Sequence, residues 1–235
     1  MSFNRWRSLV DGTEVDVGPA IPDSVLYQYD AQTLDLSDGD PVTTWEDALD
    51  NRDLTEGDGA TFESDGINGN QSVAFDGVDD YLAWDGEHSF GRELAVIAVI
   101  EHTDERHTYS MRDPSDDVTS IIIRQHEDDY FLWADDGTEE TAAKTVDTDP
   151  AIETLRITDN GDMDIEVRRN GSEETTITHS GDSFSDVRLA VGADWDGEFN
   201  WEGAIGELVI YESLTESERD DEEQRLSDKW GISID

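Results

Sequence analysis

Residues 199–211 read FNWEGAIGELVIY, and 215–218, which follow shortly after, read TESE. The β-branched and aromatic residues of the first stretch predict a long, mostly buried strand. The Thr-x-x-Glu spacing of the second is a capping box that starts a helix, and Gly231 is typical of a helix end. The chain therefore closes on a buried strand followed by one surface helix. Only Leu226 and Trp230 are apolar contacts that could hold this helix, so we expect it to be pinned at its ends.

Upstream of this close, Asp-Gly and Asn-Gly dipeptides recur between short segments rich in β-branched and aromatic residues. This alternation of strands and tight turns predicts an all-β, two-sheet antiparallel jelly-roll sandwich. The run at 94–100 is apolar at every position, which predicts a central strand covered on both faces. The other predicted strands span 25–29, 72–75, 81–84, 119–124, 130–134, 152–158, 163–169, 174–179, 187–193 and 204–211.

Several motifs follow one another in a fixed order: LYQYDA (26–31), LSDGDPV (36–42), GING (66–69), VAFDGVDDYL (73–82), the Asn-Gly hairpin at 170–171 and the closing run at 199–211. Together these motifs resemble laminin-G-like, concanavalin-A-like jelly-roll domains. The resemblance implies one such domain over residues 24–235, preceded by an N-terminal arm at 1–23. Domains of this family are mostly binding modules for glycans or proteins, and some hold calcium at the sandwich rim.

The charge of the chain is extreme: sixty Asp and Glu residues face fifteen Lys and Arg residues, for a net charge of −45 in 235 residues. At about 1 M salt the Debye length is roughly 3 Å, so such a surface repels itself little there. We therefore expect a halophilic protein. Nucleic acid and anionic membranes are excluded as partners because both require a basic patch. The N-terminal sequence lacks an apolar core, so we expect no secretory signal.

Asp76, Asp79 and Asp80 cluster around Gly77 between two predicted strands. Clustered carboxylates on a tight turn suit calcium, a hard cation that takes six to eight oxygen ligands. The alternative is a purely structural corner in which Asp79 accepts hydrogen bonds from backbone amides. Calcium is the one cofactor that the sequence suggests.

Asp194, Trp195 and Asp196 place an aromatic ring between two acids beyond a strand end. Sugar sites are built in this way, with a flat ring against the sugar face and carboxylates that accept hydroxyl hydrogens. The alternative is that Trp195 folds back over the core. The other tryptophans of the strand patterns, Trp84, Trp133 and Trp201, are predicted in the core.

Asp162, Asp164 and Glu166 alternate along one strand and are similar to the acidic triplet of β-glucanases, which share this sandwich. The strand leads directly into Asn170-Gly171, the hairpin of the binding branch of the family, and acidic triplets arise repeatedly by chance in so acidic a chain. We therefore predict no catalytic residue here and no enzyme.

Together these observations predict a non-enzymatic surface structural or adhesion protein. The first hypothesis is a virion component of a halophilic archaeal virus (a capsid decoration, turret or tail fibre) that binds a host glycan. Its location would be the virion surface, and its partners copies of itself or other virion proteins, with the 1–23 arm as the anchor. The alternatives are a cellular carbohydrate-binding module at the cell surface and a glycoside hydrolase of the concanavalin-A-like clan.

Overall fold

The computed structural model describes residues 7–10, 13–16, 22, 24–49, 51–103, 108–112, 120–126, 129–133, 139–143, 148–179, 186–194 and 197–235. Its strands are β1 (Arg7–Val10), β2 (Thr13–Asp16), β3 (Val25–Asp30), β4 (Leu54–Asp58), β5 (Thr61–Glu63), β6 (Ser72–Asp76), β7 (Tyr81–Trp84), β8 (Leu94–His102), β9 (Tyr109–Arg112), β10 (Ser120–His126), β11 (Asp129–Trp133), β12 (Glu139–Ala143), β13 (Ala151–Asp159), β14 (Met163–Arg169), β15 (Ser172–His179), β16 (Arg188–Val191) and β17 (Glu202–Tyr211). Helix α1 spans Glu216–Trp230.

The described strands form two antiparallel sheets and one separate hairpin. One sheet has the order β12-β11-β10-β9-β16-β7-β4, and the other has the order β15-β14-β13-β8-β17-β6-β5, with β3 also paired to β17. The hairpin joins β1 to β2. The all-β, two-sheet jelly-roll sandwich predicted from the turn pattern is therefore confirmed.

The main core lies between the two sheets. Leu82 and Trp84 from one sheet pack there with Val96 and Ile205 from the other. Alternate residues along a strand point to opposite sides of the sheet, so the unbroken apolar run of β8 predicts a strand that is covered on both faces. The structure confirms this for β8. Its odd-numbered residues Ala95, Ile97 and Val99 belong to a second cluster on the outer face of the larger sheet, with Leu226 and Trp230 of α1.

Helix α1 begins and ends where the sequence predicts. The Thr215 side chain and the Glu218 side chain form the capping box, and Gly231 closes the helix in the left-handed conformation at φ 66°. The expectation that apolar ends alone hold this helix is wrong. Arg219, Glu222 and Glu223 are buried on its inner face beside Leu226 and Trp230. Ion pairs to the sheet compensate the charges on this face of the helix. The face can therefore be buried although it is charged.

The predicted arm at 1–23 contains the β1–β2 hairpin, and most of its other residues lie outside the described residues. The side chain of Trp133, predicted in the core, also lies outside them. Trp84 and Trp201 are fully buried, as predicted. No helix in the described part of the chain is both long and apolar enough to cross a membrane.

Candidate binding site at the sandwich rim

Two loops meet at one end of the sandwich because of how the strands pair. The β6–β7 loop crosses from the larger sheet to the smaller one, and the β16–β17 loop crosses back. At this end Asp76 of β6 lies opposite Glu202 of β17, and Val191 of β16 lies opposite Leu82 of β7. The two loops are therefore neighbours, although more than a hundred residues separate them in the chain.

Direct contacts join the two loops. The Asn200 side-chain amide donates to the backbone carbonyl of Val78 at 2.7 Å. A Cβ atom on Gly197 would lie 2.9 Å from the ring of Tyr81, so glycine allows the close approach there. The predicted 76–80 site and Asp194, the described residue of the other predicted site, thus lie on two neighbouring loops of one rim.

The acidic residues of the β6–β7 loop converge. Asp76, Asp79 and Asp80 each offer a carboxylate oxygen, and these atoms all lie within 4.8 Å of one another. Asp76 Oδ1 accepts from the Val78 amide at 2.8 Å, and Asp80 Oδ2 accepts from the Asp76 amide at 2.8 Å. The structural corner predicted as the alternative to a calcium site has Asp79 as the acceptor of backbone hydrogen bonds. In the structure Asp76 and Asp80 accept these bonds.

The cluster fits a hard cation. Asp76 and Asp79 are exposed and Asp80 is buried, so the group has one fixed and two solvent-facing carboxylates. Asp76 Oδ1 and Asp80 Oδ2 make these two loop bonds, and the carboxylate of Asp79 takes part in neither of them. All the donors are oxygens, the ligands that calcium prefers. The two exposed carboxylates face solvent, which is where water or ligand hydroxyls would complete the coordination.

The structure describes one residue of the second predicted site, Asp194. Asp194 is 4% exposed, and its backbone closes a turn in which its amide donates to the Glu198 carbonyl and its carbonyl accepts from the Gly197 amide. Its side chain is therefore buried beneath the loop, and its contact with a sugar stays a prediction. Trp195 and Asp196 lie outside the described residues, so their contact with a sugar stays a prediction.

The structure adds an apolar patch that the sequence analysis missed. Val78 and Phe199 are the large apolar side chains exposed in the described part of the chain, at 70% and 51%. Phe199 lies in the left-handed region at φ 55°, which non-glycine residues rarely adopt. The Asp-Gly turn at 196–197 was the available signal, because a residue just past such a turn is displayed on a loop.

The end of the second loop is fixed in the core. The Trp201 amide donates to the Gly192 carbonyl at 2.8 Å, and its indole Nε1 donates to His102 Nδ1 at 3.1 Å. His102 Nε2 lies 3.3 Å from Glu153 Oε1, which also accepts from Arg169 at 2.6 Å. This buried polar network holds the backbone that follows Phe199 in one position.

The acidic strand lies on the outer face of the larger sheet. Glu166 pairs with Arg156 at 2.8 Å and with Arg219 of α1 at 2.7 Å, so the helix side covers it. Burial alone would raise the pKa of Glu166, but the hydrogen bond from Arg156 and the charge of Arg219 outweigh it and lower the pKa. Hydrogen bonds from Asn160 and Thr178 lower the pKa of Asp164. Asp162 is exposed in the preceding turn.

Comparisons with solved structures agree with this architecture. Domain 4 of AbnA, a GH43 extracellular arabinanase from Geobacillus stearothermophilus, in complex with arabinotriose, has a TM-score of 0.64 at 20% identity, over 84% of this chain and 97% of that one. The binding domain of botulinum neurotoxin DC, in complex with SialylT, has a TM-score of 0.61 at 13% identity, over 88% of this chain and 52% of that one.

Trypanosoma rangeli sialidase has a TM-score of 0.60 at 14% identity, over 97% of this chain but only 36% of the sialidase. The chain thus spans about a third of that enzyme. No family model matches the chain, and no curated protein matches it. At these identities the likeness defines the fold, a jelly-roll sandwich of the concanavalin-A-like class.

Proposed function

We propose that this chain is a non-enzymatic surface adhesion domain that binds a glycan at the rim formed by the β6–β7 and β16–β17 loops. The observation that carries the proposal is the presence, on one rim, of a three-carboxylate cluster and an exposed aromatic ring. An aromatic face for the sugar ring together with a few convergent polar groups is how saccharide sites are composed. The arabinotriose and SialylT complexes of similarly folded domains support the same class of ligand.

Calcium is the proposed cofactor of this rim. Asp76, Asp79 and Asp80 would hold it, and the ion would polarise sugar hydroxyls and offset the local negative charge. Asp80, buried and bonded to the loop backbone, would fix the distance between the ion and the sheet.

A hydrolase is disfavoured by the chemistry of the acidic strand. A retaining or inverting glycosidase needs one carboxylic acid with a raised pKa to protonate the leaving group. Glu166 has a lowered pKa and is paired with two arginines beneath α1, and Asp164 also has a lowered pKa.

The proposal extends to where this domain is found. The net charge of −45 supports a protein of high-salt surroundings, and a compact sandwich preceded by a separate hairpin suits a module attached to a larger assembly. We propose the surface of a halophilic archaeal virus as that assembly. Proteomics of purified particles tests this location, because a cell-surface module would be found in the host envelope fraction and not in the particles.

The binding proposal is tested on a glycan array in molar salt, with and without calcium. Asp79→Asn should reduce glycan binding in calcium. Asp162→Asn, which makes the same charge change, should leave it unchanged, because the 160–162 turn lies at the Leu94 end of β8 and the rim at the His102 end. Equal binding by both variants and the wild type would argue against the rim, and no binding to any glycan would overturn the proposal.

A further inference from the structure

Resting on the proposed glycan-binding function, we propose that the rim takes an uncharged saccharide, whose C–H face packs on Phe199 and Val78, and rejects anionic sugars such as sialylated glycans. Three independent properties of the rim support this ligand class: an exposed apolar patch, a rigid backbone beneath it and the sign of the surrounding charge.

The apolar patch consists of the two large apolar side chains that are exposed in the described part of the chain. Val78 is 70% exposed and Phe199 is 51% exposed. The Asn200 side chain joins their two loops through its 2.7 Å hydrogen bond to the Val78 carbonyl, so the two residues lie on loops that are in contact. Leaving this area in water is unfavourable, and salts that are excluded from protein surfaces increase the cost. A ligand that covers the Phe199 ring would remove this cost.

The ring is presented by a backbone that is held in place. Phe199 keeps a left-handed φ of 55°, a conformation that persists in non-glycine residues only where the surroundings enforce it. Asn200 is bonded to Val78, and Trp201 is bonded to Gly192 and to the buried His102. A ring fixed in this way loses little conformational freedom when a ligand covers it.

The charge beside the patch selects the ligand. Asp76 and Asp79 are exposed carboxylates within the same loop as Val78. A sugar carboxylate or sulfate seated beside these carboxylates would be repelled at contact range, where molar salt screens charges least. Three carboxylates keep one net negative charge even with Ca²⁺ bound, whereas neutral sugar hydroxyls can donate hydrogen bonds to the oxygens. Arabinotriose, bound by the similarly folded arabinanase domain, is uncharged, and SialylT, bound by the toxin domain, is acidic.

A second copy of the chain does not suit the patch. A stable protein interface needs about 800 Å² from each partner, far more than two side chains supply. A copy would also bring the same negative charge to the rim. A small neutral ligand matches both the small area of the patch and the negative charge beside it.

The test is titration of the full chain with arabinotriose, a neutral galacto-oligosaccharide and sialyllactose in molar salt, by calorimetry, first in chelator and then in calcium. We expect a neutral sugar to bind in both conditions and sialyllactose in neither. Phe199→Ala should weaken neutral-sugar binding by about tenfold, whereas Phe199→Trp should retain it. Thermal melts of each variant separate a loss of contact from a loss of folding.

The outcomes are distinguishable. Sialyllactose binding as tight as that of the neutral sugars, or seen only with calcium, would overturn the ligand class and leave glycan binding in place. Unchanged neutral-sugar affinity in a folded Phe199→Ala variant would overturn the role of the patch. Failure of a full glycan array to bind in either condition would overturn the proposed function itself, and this inference with it.

Discussion

Glu207 of β17 is completely buried, and its Oε1 accepts a hydrogen bond from the Arg225 guanidinium of α1 at 2.7 Å. Its other oxygen accepts from Lys229 at 2.6 Å and from the Trp230 indole at 3.1 Å. Burial alone would raise the pKa of Glu207, but the charges of Arg225 and Lys229 outweigh it and bring the pKa to about 2. The helix is therefore attached to the sheet through a carboxylate that stays ionised.

Glu207→Gln should destabilise the fold at neutral pH by about 3 kcal/mol, because it removes the negative charge with which Arg225 and Lys229 pair. The pKa is lower in the folded than in the unfolded state, so this contribution is complete above the ordinary value of 4.5 and is lost as the pH falls toward 2. Denaturant titrations between pH 2 and 7 measure it.

The matched control is Glu173→Gln, at an exposed position on the edge strand β15. It makes the same change of charge and should alter stability by less than about 0.5 kcal/mol. A similar loss in both variants would show that net charge, and not the Glu207 pairing, sets the effect.

Gly206→Ala should destabilise the contact between β17 and α1. A Cβ atom on Gly206 would lie 2.4 Å from the Trp230 ring, which is fully buried, and the strand has a bulge at this position. We expect a loss of about 1–3 kcal/mol from overpacking. Gly91→Ala, where a Cβ atom meets nothing within 4 Å, is the control and should be neutral. Denaturation followed by tryptophan fluorescence compares them, and equal stability would contradict the packing argument.

Folding should require salt. Sixty carboxylates against fifteen basic residues repel one another once screening is weak. After dialysis to about 0.1 M salt, where the Debye length is roughly 10 Å, far-ultraviolet dichroism should show loss of sheet structure. Full retention of the sheet signal with cooperative melting at low salt would contradict the expectation.

The acidic strand should have no hydrolytic role. The wild type should release no reducing sugar from laminarin-like β-glucans, and Asp164→Asn should leave glycan binding unchanged, because its side chain bonds Asn160 and Thr178 away from the rim. Hydrolysis that disappears in Glu166→Gln would reverse this interpretation.

The N-terminal arm should serve attachment and not folding. A sandwich over residues 24–235 has its own core between two sheets, so deletion of 2–20 should leave a folded, soluble chain. That variant should no longer enter oligomers or particles, which light scattering after size exclusion would detect. Normal incorporation would show that the arm is dispensable.

Local sequence patterns predict most of the strands, because the buried positions of a strand are apolar and recur regularly along the chain. Strand β14 alternates buried and half-buried residues, as its charged and apolar positions do in the sequence. The missed strands were short or polar. Strand β4 reads LTEGD and β12 reads EETAA, and each lies at the edge of its sheet, where one side is not paired and an apolar pattern is not required.

The sequence by itself determined the features that depend on neighbouring residues: the strand periodicity, the capping box of α1 and the meeting of Asp76, Asp79 and Asp80 on one turn. Only the tertiary structure decided which distant residues meet. The loops that carry Phe199 and Val78 meet because β17 pairs with β6 in one register, and Asp194 is buried at the start of its turn. A charged helix face can be buried because the sheet supplies Glu207, Glu166 and Arg168 opposite it. Long-range pairing sets these contacts, and no local pattern records it.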